Sequence, residues 1–285
     1  MTQHSFRADG AKITVYLDGP VWDGKPTAAV GAFACKTKEG GAAVLQQAID
    51  CIRDNGITHI IGPMDGDTWH SYRFVTQTDE SPAFLLEPKN TPDALEVFKD
   101  AGFSEISSYF SARVPLEQAA KTAPPATTDF EIEHWDGTDP ERLFGQVFEL
   151  SCEAFANNAF YKPITRDAFL AMYMPIVPML KRELILFARQ PDQTLVGFLF
   201  GTPNYAEGPK PSSVILKTYA SLMKGAGQHL AYTFHKTAAV SGFETAIHAL
   251  IHDDNLSALR SAAEGADVFR RYGLFGLKLD DQHSG

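Results

Sequence analysis

The sequence predicts an α/β (α+β) protein of two domains, and three observations carry that expectation. Short apolar runs suited to strands alternate along the chain with segments whose apolar residues recur at helical spacing. A stretch of paired prolines and small residues, KTAPPATT at 121–128, interrupts the chain near its middle. Glycine spacings in the first half return in the second. Gly41 and Gly56 are as far apart as Gly227 and Gly242, and both pairs enclose a helical pattern followed by a short strand pattern. Gly102 and Tyr109 are likewise spaced as Gly265 and Tyr272 are. The offset between the halves changes from one pair to the next. That change places extra residues of the first half in HSYRFVTQTDESPAFLLEPKN and fits an internal duplication.

Residues 11–17 alternate through Ala11, Ile13, Val15 and Leu17 and read as a strand, closed by a turn at Asp18-Gly19-Pro20. Residues 28–35 read as a second strand. Leu45, Ala48, Ile49 and Ile52 then share one helical face, stopped by Asn55-Gly56. Residues 58–61 form a short buried strand, and 62–73 a loop rich in polar and aromatic groups. AFLLE, within 82–88, is another strand candidate. Asn90-Thr91-Pro92-Asp93 opens a helix over 94–100, and residues 108–114 alternate as a strand.

Beyond the linker, residues 130–132 read as a strand. Asp139-Pro140-Glu141 starts a helix that carries Leu143, Val147 and Leu150 inward. Thr165-Arg166-Asp167 caps another. Residues 184–188 and 196–201 form a hairpin around Pro191-Asp192-Gln193. The next stretch, 213–255, organises the rest of the chain. An apolar run (Val214, Ile215, Leu216) leads to Gly225-Ala226-Gly227. A helix follows with Leu230, Phe234 and Ala238 on one face, then Gly242 and a strand from Thr245 to Ile251. Glycine lets backbone N–H groups approach an anion, and a helix N-terminus adds partial positive charge. Strand, glycine turn and helix is therefore an arrangement able to cradle phosphate, and equally an ordinary tight turn.

This stretch resembles the acyl-CoA-binding core of the GNAT superfamily of N-acetyltransferases. In that superfamily a strand leads into an Arg/Gln-x-x-Gly-x-Gly/Ala loop, whose amides hold the CoA pyrophosphate. Gly225-Ala226-Gly227 matches its glycine part. The tail AIHALIHDDNLSALRSAAEGADVFRRYGLF and the early IGPMDGDTWHSYRF are similar to a bacterial tandem-GNAT group, so the likeness spans nearly the whole chain. It implies two GNAT-like domains, each a mixed, mainly antiparallel sheet flanked by helices. The first, over 1–118, is expected to be degenerate, because Gly40-Gly41 lacks the Gly-x-Gly spacing. A linker covers 119–128, and the second domain, 129–285, holds the acyl-CoA site.

The same resemblance implies acyl transfer, with acetyl-CoA or another acyl-CoA as co-substrate and a small-molecule amine as acceptor, and needs no metal. It assigns the pantetheine arm to Thr218, Tyr219 and Ala220, and the pyrophosphate to Gly225, Ala226, Gly227 and Gln228. Asn255 stands where the family has an Asn near CoA; before LSALRSAAEG it is also a natural helix N-cap. Leu222 replaces the Arg or Gln of the motif, and Ala262 the general-acid Tyr. These departures favour a rival reading, a non-catalytic degenerate pair that binds a ligand or partner. A third reading is an aminoacyl-tRNA-dependent transferase.

His248, Leu250 and His252 alternate, so a strand puts them on one face. His252, at the strand's end, is a candidate general base and equally a structural histidine. His248 and His252 alone do not form a zinc site. Trp69, Tyr72 and Arg73 are candidate acceptor-binding residues, the arginine for a carboxylate or phosphate and the aromatics as walls. Tyr161, in NNAFYKPIT, is expected to close over the same pocket.

Composition narrows the classes. Of 285 residues, 44% are apolar and 21% charged, ordinary for a globular protein. Nothing nears the roughly 18 consecutive apolar residues of a membrane span, and MTQHSFRADG lacks the apolar core of a secretory signal. Cys35, Cys51 and Cys152 are scattered, with no C-x-x-C, as expected of a cytoplasmic chain without thiolate metal sites. The net charge of −10 argues against a nucleic-acid partner and favours a cationic amine.

Overall fold

The computed structural model describes residues 3–121, 123–127 and 129–279. In chain order the elements begin with β1 (Gln3–Ala8), β2 (Ala11–Tyr16), β3 (Ala28–Ala34), α1 (Lys38–Asp54), β4 (His59–Gly62) and β5 (Phe74–Thr78). Next come α2 (Ala94–Asp100), β6 (Ser104–Pro115), α3 (Leu116–Ala119), β7 (Glu131–His134), α4 (Pro140–Phe155) and α5 (Arg166–Tyr173). The rest are β8 (Ile185–Arg189), β9 (Leu195–Pro203), β10 (Ser213–Ser221), α6 (Ala226–Val240), β11 (Thr245–His252), α7 (Leu256–Ala263) and β12 (Asp267–Lys278). None of the described helices is long and apolar enough to cross a membrane.

The chain forms two compact units. The first takes residues up to Tyr109, Asn158–Lys162 and residues from Arg270; the second takes Phe110–Asn157 and Pro163–Phe269. These divisions differ from the expected 1–118, 119–128 and 129–285. Strand β6 starts in the first unit and ends in the second, and β12 does the reverse. The prolines of the expected linker do mark chain without helix or strand at 123–127; Thr122 and Thr128 lie outside the described residues.

In the first unit β1, β2 and β3 pair antiparallel, β3 pairs β4 in parallel, and β12 pairs antiparallel with β4 and β5. Helix α1 exists because Val44, Leu45, Ala48, Ile49 and Ile52 make one apolar stripe, buried with Val15, Val30, Ile60 and Phe98. In the second unit β7, β8, β9 and β10 are antiparallel neighbours, and β10 pairs β11 in parallel. Helix α6 lays Leu230, Phe234 and Ala238 into a core with Leu186, Leu199 and Val214. Gly201 is required there, since a Cβ would stand 2.1 Å from Phe234 Cε2. Each sheet is mixed and mainly antiparallel, as expected.

Four of the repeated glycines have one cause. Gly56, Gly242, Gly102 and Gly265 each follow the C-cap of α1, α6, α2 and α7, with φ between +72° and +89°. Left-handed backbone at that position suits glycine.

Three readings are corrected. AFLLE is not a strand: residues 79–93 form a loop, held by Glu87. Strands β1, β5 and β12 lie outside the expected set. Residues 158–162, expected in the second domain, belong to the first unit, where the Lys162 carbonyl accepts from Trp69 Nε1 at 2.9 Å.

Candidate functional site

Strand β10 builds the second unit's site in two steps. Its parallel pairing with β11 runs from Ser213↔Thr245 to Leu216↔His248 and stops, although both strands continue. At the same point its register against β9 shifts between Leu216 and Thr218, making Lys217 the extra residue of a bulge. From there Thr218, Tyr219 and Ala220 stay paired with β9 and are splayed from β11. The edge facing β11 is therefore unladdered and able to hydrogen-bond an extended ligand.

The strand ends in the glycine turn. Gly225, at φ +88°, is the N-cap of α6 and supplies no side-chain cap. The Ala226 N–H donates to Met223 O and the Gln228 N–H to Gly225 O. The N–H groups of Gly225 and Gly227 have no partner among the described residues. Two unsatisfied donors at a helix N-terminus are an arrangement able to receive an anion. Leu222 is exposed, and Gln228 points to solvent.

Sequence reasoning missed Arg260. A Cβ on Gly227 would lie 2.9 Å from Arg260 Nη1, 3.2 Å from Ser221 Oγ and 3.3 Å from Tyr219 Cε2. The α7 guanidinium thus reaches the N-terminus of α6. Arg260 and Ser257 also hydrogen-bond Tyr219, whose phenol is pushed up chiefly by burial and keeps its proton. Arg260 lies outside the glycine motif, on the helix after the next strand, and only the fold reveals its position.

Asn255 acts as the N-cap of α7, its side chain accepting the Ser257 N–H at 3.2 Å. His252 does not share a face with His248. Leu250 has φ +57°, which breaks the alternation of β11. His252 Nδ1 accepts the Asp254 N–H at 3.1 Å, so the neutral ring carries its proton on Nε2. That spends the lone pair a base would use. His248 instead turns inward, where its Nε2 lies 3.1 Å from His235 Nε2 and its Nδ1 2.9 Å from Ser261 Oγ. Burial lowers His235 to about 3, helped by its neighbour His248, and lowers His248 to about 4. Burial also raises Glu264, beside them, to about 7.

The acceptor candidates of the first unit form two clusters. Trp69 and Tyr161 meet edge to face at 6.1 Å. Arg73 is sandwiched between rings, its guanidinium 3.8 Å from the Tyr72 centroid and 3.9 Å from that of Tyr109. It is 8% exposed and also donates to the Tyr72 hydroxyl. A guanidinium committed in this way stiffens the loop and is poorly placed to meet an incoming carboxylate. In the same loop, buried Asp67 accepts from the Trp69 and His70 N–H groups and from His70 Nδ1 at 2.8 Å. The bond to Asp67 raises His70 above its ordinary 6.5. A folded-state value above the unfolded one stabilises below about pH 6.5 and is lost as pH climbs through the raised value. Thermal melts across pH 5–9 are thus expected to show a His70→Gln deficit in acid that disappears in alkali.

The first unit repeats the bulge but not the opening. Register shifts on β3, and Ala32 takes φ +47°. The space beyond the Ala29↔Ile61 pair is filled by the chain itself. Met64 N–H donates to Val30 O at 2.8 Å, and Ala32 N–H to Asp65 Oδ1 at 2.5 Å. The N-terminus of α1 is closed too, since Thr37 Oγ1 accepts the Gly40 N–H and Thr37 O the Gly41 N–H.

Solved structures share this architecture. A GCN5-related N-acetyltransferase from Sphaerobacter thermophilus is 16% identical, with a TM-score of 0.55 over 94% of this chain and 76% of that one. A tandem GNAT protein from the clavulanic acid biosynthesis pathway is 14% identical, with a TM-score of 0.52 over 94% and 78%. A GCN5-related N-acetyltransferase from Anabaena variabilis is 10% identical, with a TM-score of 0.58 over 93% and 58%. No family model matches the sequence, and no curated protein matches it. At these identities the likeness establishes the fold, a tandem GNAT-like one.

Proposed function

We propose that the second unit binds an acyl-CoA and transfers its acyl group to a small-molecule amine. One observation carries this reading: the splay of β10 from β11 ends at a helix N-terminus whose glycine amides have no partner among the described residues and are faced by Arg260. The donor set fits a diphosphate. Gly225 and Gly227 offer N–H groups, and Arg260 supplies the guanidinium that Leu222 cannot. Thr218, Tyr219 and Ala220 line the unladdered edge, where an extended pantetheine arm would hydrogen-bond. Acetyl-CoA or a longer acyl-CoA would supply the acyl group as a thioester. The chain's part is to hold the diphosphate, align the arm along β10 and keep Tyr219 protonated beside it. The filled splay and capped helix of the first unit support a cofactor role for the second unit alone.

The test is calorimetric titration with acetyl-CoA, followed by an amine screen. Micromolar binding is expected, and silence at millimolar cofactor would sink the proposal. Arg260→Ala is expected to weaken binding roughly 10–100-fold, corresponding to about 1.5–3 kcal/mol for a charged hydrogen-bonding group. An unchanged Kd in that variant would remove Arg260 from the site. Saturable binding without turnover of any amine would favour the non-catalytic reading, which Ala262 and the committed lone pair of His252 support.

A further inference from the structure

We propose that His235, His248 and Glu264 form a binding site for a divalent transition-metal ion of the zinc type, inside the second unit. One ligand atom from each of the three lies within 4.8 Å of the others. The two histidine Nε2 atoms are 3.1 Å apart, and Glu264 Oε2 is 3.6 Å from His248 Nε2. A tetrahedral ion with bonds of about 2.0–2.1 Å spaces its ligand atoms about 3.3 Å apart. Two separations bracket that spacing, and the third, within 4.8 Å, would close by rotation of the Glu264 side chain.

A hydrogen-bonded histidine pair does not account for the arrangement. One proton shared between the facing nitrogens leaves a carboxylate oxygen aimed at the same small volume. Electron-rich atoms converging in this way call for a cation. The outer contacts agree: Ser261 Oγ, almost fully buried, stands 2.9 Å from His248 Nδ1. A hydroxyl accepting from Nδ1–H sets the tautomer that turns the Nε2 lone pair inward. Burial holds both rings in the neutral form that ligates.

The donor set selects the ion. Two imidazoles and one carboxylate suit zinc and its first-row neighbours, whereas calcium and magnesium prefer all-oxygen cages. The ligands come from α6, β11 and the C-cap of α7, so an ion would tie these three elements together. Glu264 is the most accessible of the three, so an ion would enter past its carboxylate.

The experiment uses full-length protein stripped with chelator and titrated with cobalt(II), a spectroscopic stand-in for zinc. A visible band is expected that saturates at one ion per chain and is bleached by zinc. Glu264→Gln keeps the shape of the side chain and should lose the band. Ser261→Ala should weaken affinity about 10–100-fold. Substituting either histidine risks the core, so nitrogen NMR of the wild type gives a second reading, in which zinc should shift both Nε2 signals. Absence of the band would overturn the proposal. So would a band unchanged in Glu264→Gln, or two ring signals that zinc leaves in place.

Discussion

Replacing Glu87 with alanine is expected to lower the free energy of unfolding by about 3–5 kcal/mol, read as a fall in denaturant midpoint. The Glu87 carboxylate is shut off from water. Its Oε2 accepts from Arg270 Nη1 at 2.6 Å and from the Phe84 N–H at 3.0 Å, and its Oε1 from the Tyr272 hydroxyl. Arg270 is 3% exposed and also donates to Ser81 O at 2.6 Å. Removing the carboxylate takes from the buried guanidinium its shorter carboxylate contact, leaving Asp79 Oδ1 at 3.3 Å, and frees the loop that AFLLE belongs to. Arg270→Met with Glu87→Leu should cost less than the two single changes together, because it removes both charges. A loss under about 1 kcal/mol for Glu87→Ala would mean the pair is hydrated in solution.

Gly227→Trp is expected to abolish acetyl-CoA binding, by more than about 100-fold, or some 2.7 kcal/mol. Gly227 has ordinary helical backbone and sits in the first turn of α6, so a side chain there leaves the helix intact. Its Cβ would meet the far end of Arg260 at 2.9 Å, with Ser221 and Tyr219 close behind. The indole would push the guanidinium aside and fill the space over the helix N-terminus. Circular dichroism should match wild type while the titration goes flat. Retained micromolar affinity would place the cofactor elsewhere.

Local pattern was legible wherever the local chain decides the outcome. The apolar stripes of α1 and α6 and the glycines that end α1, α2, α6 and α7 are each set within a turn or two. So was the N-cap of Thr165, whose Oγ1 accepts the Ala168 N–H. What escaped depends on partners far along the chain. AFLLE is apolar enough for a strand, but Glu87 is drawn to Arg270, 183 positions away. Strand β12 was hidden by that same arginine, a charge inside a buried strand. The histidines were mispaired because one left-handed residue, Leu250, broke the alternation that had put His248 beside His252. Of the residues proposed to hold the diphosphate, the glycine turn could be read and Arg260 could not.

The exchange of β12 gives the chain an order of completion. A ribosome releases all of β1–β5 first, yet the strand that pairs β4 and β5 emerges only after the whole second unit. Until then the Glu87 carboxylate has no guanidinium to meet, and two strand edges stand open. The second unit closes its sheet from segments already delivered, so it is the earlier of the two to finish. Vectorial synthesis therefore makes the N-terminal unit the last to mature, and the interval before Arg270 arrives is when exposed edges are open to mispairing or chaperone capture.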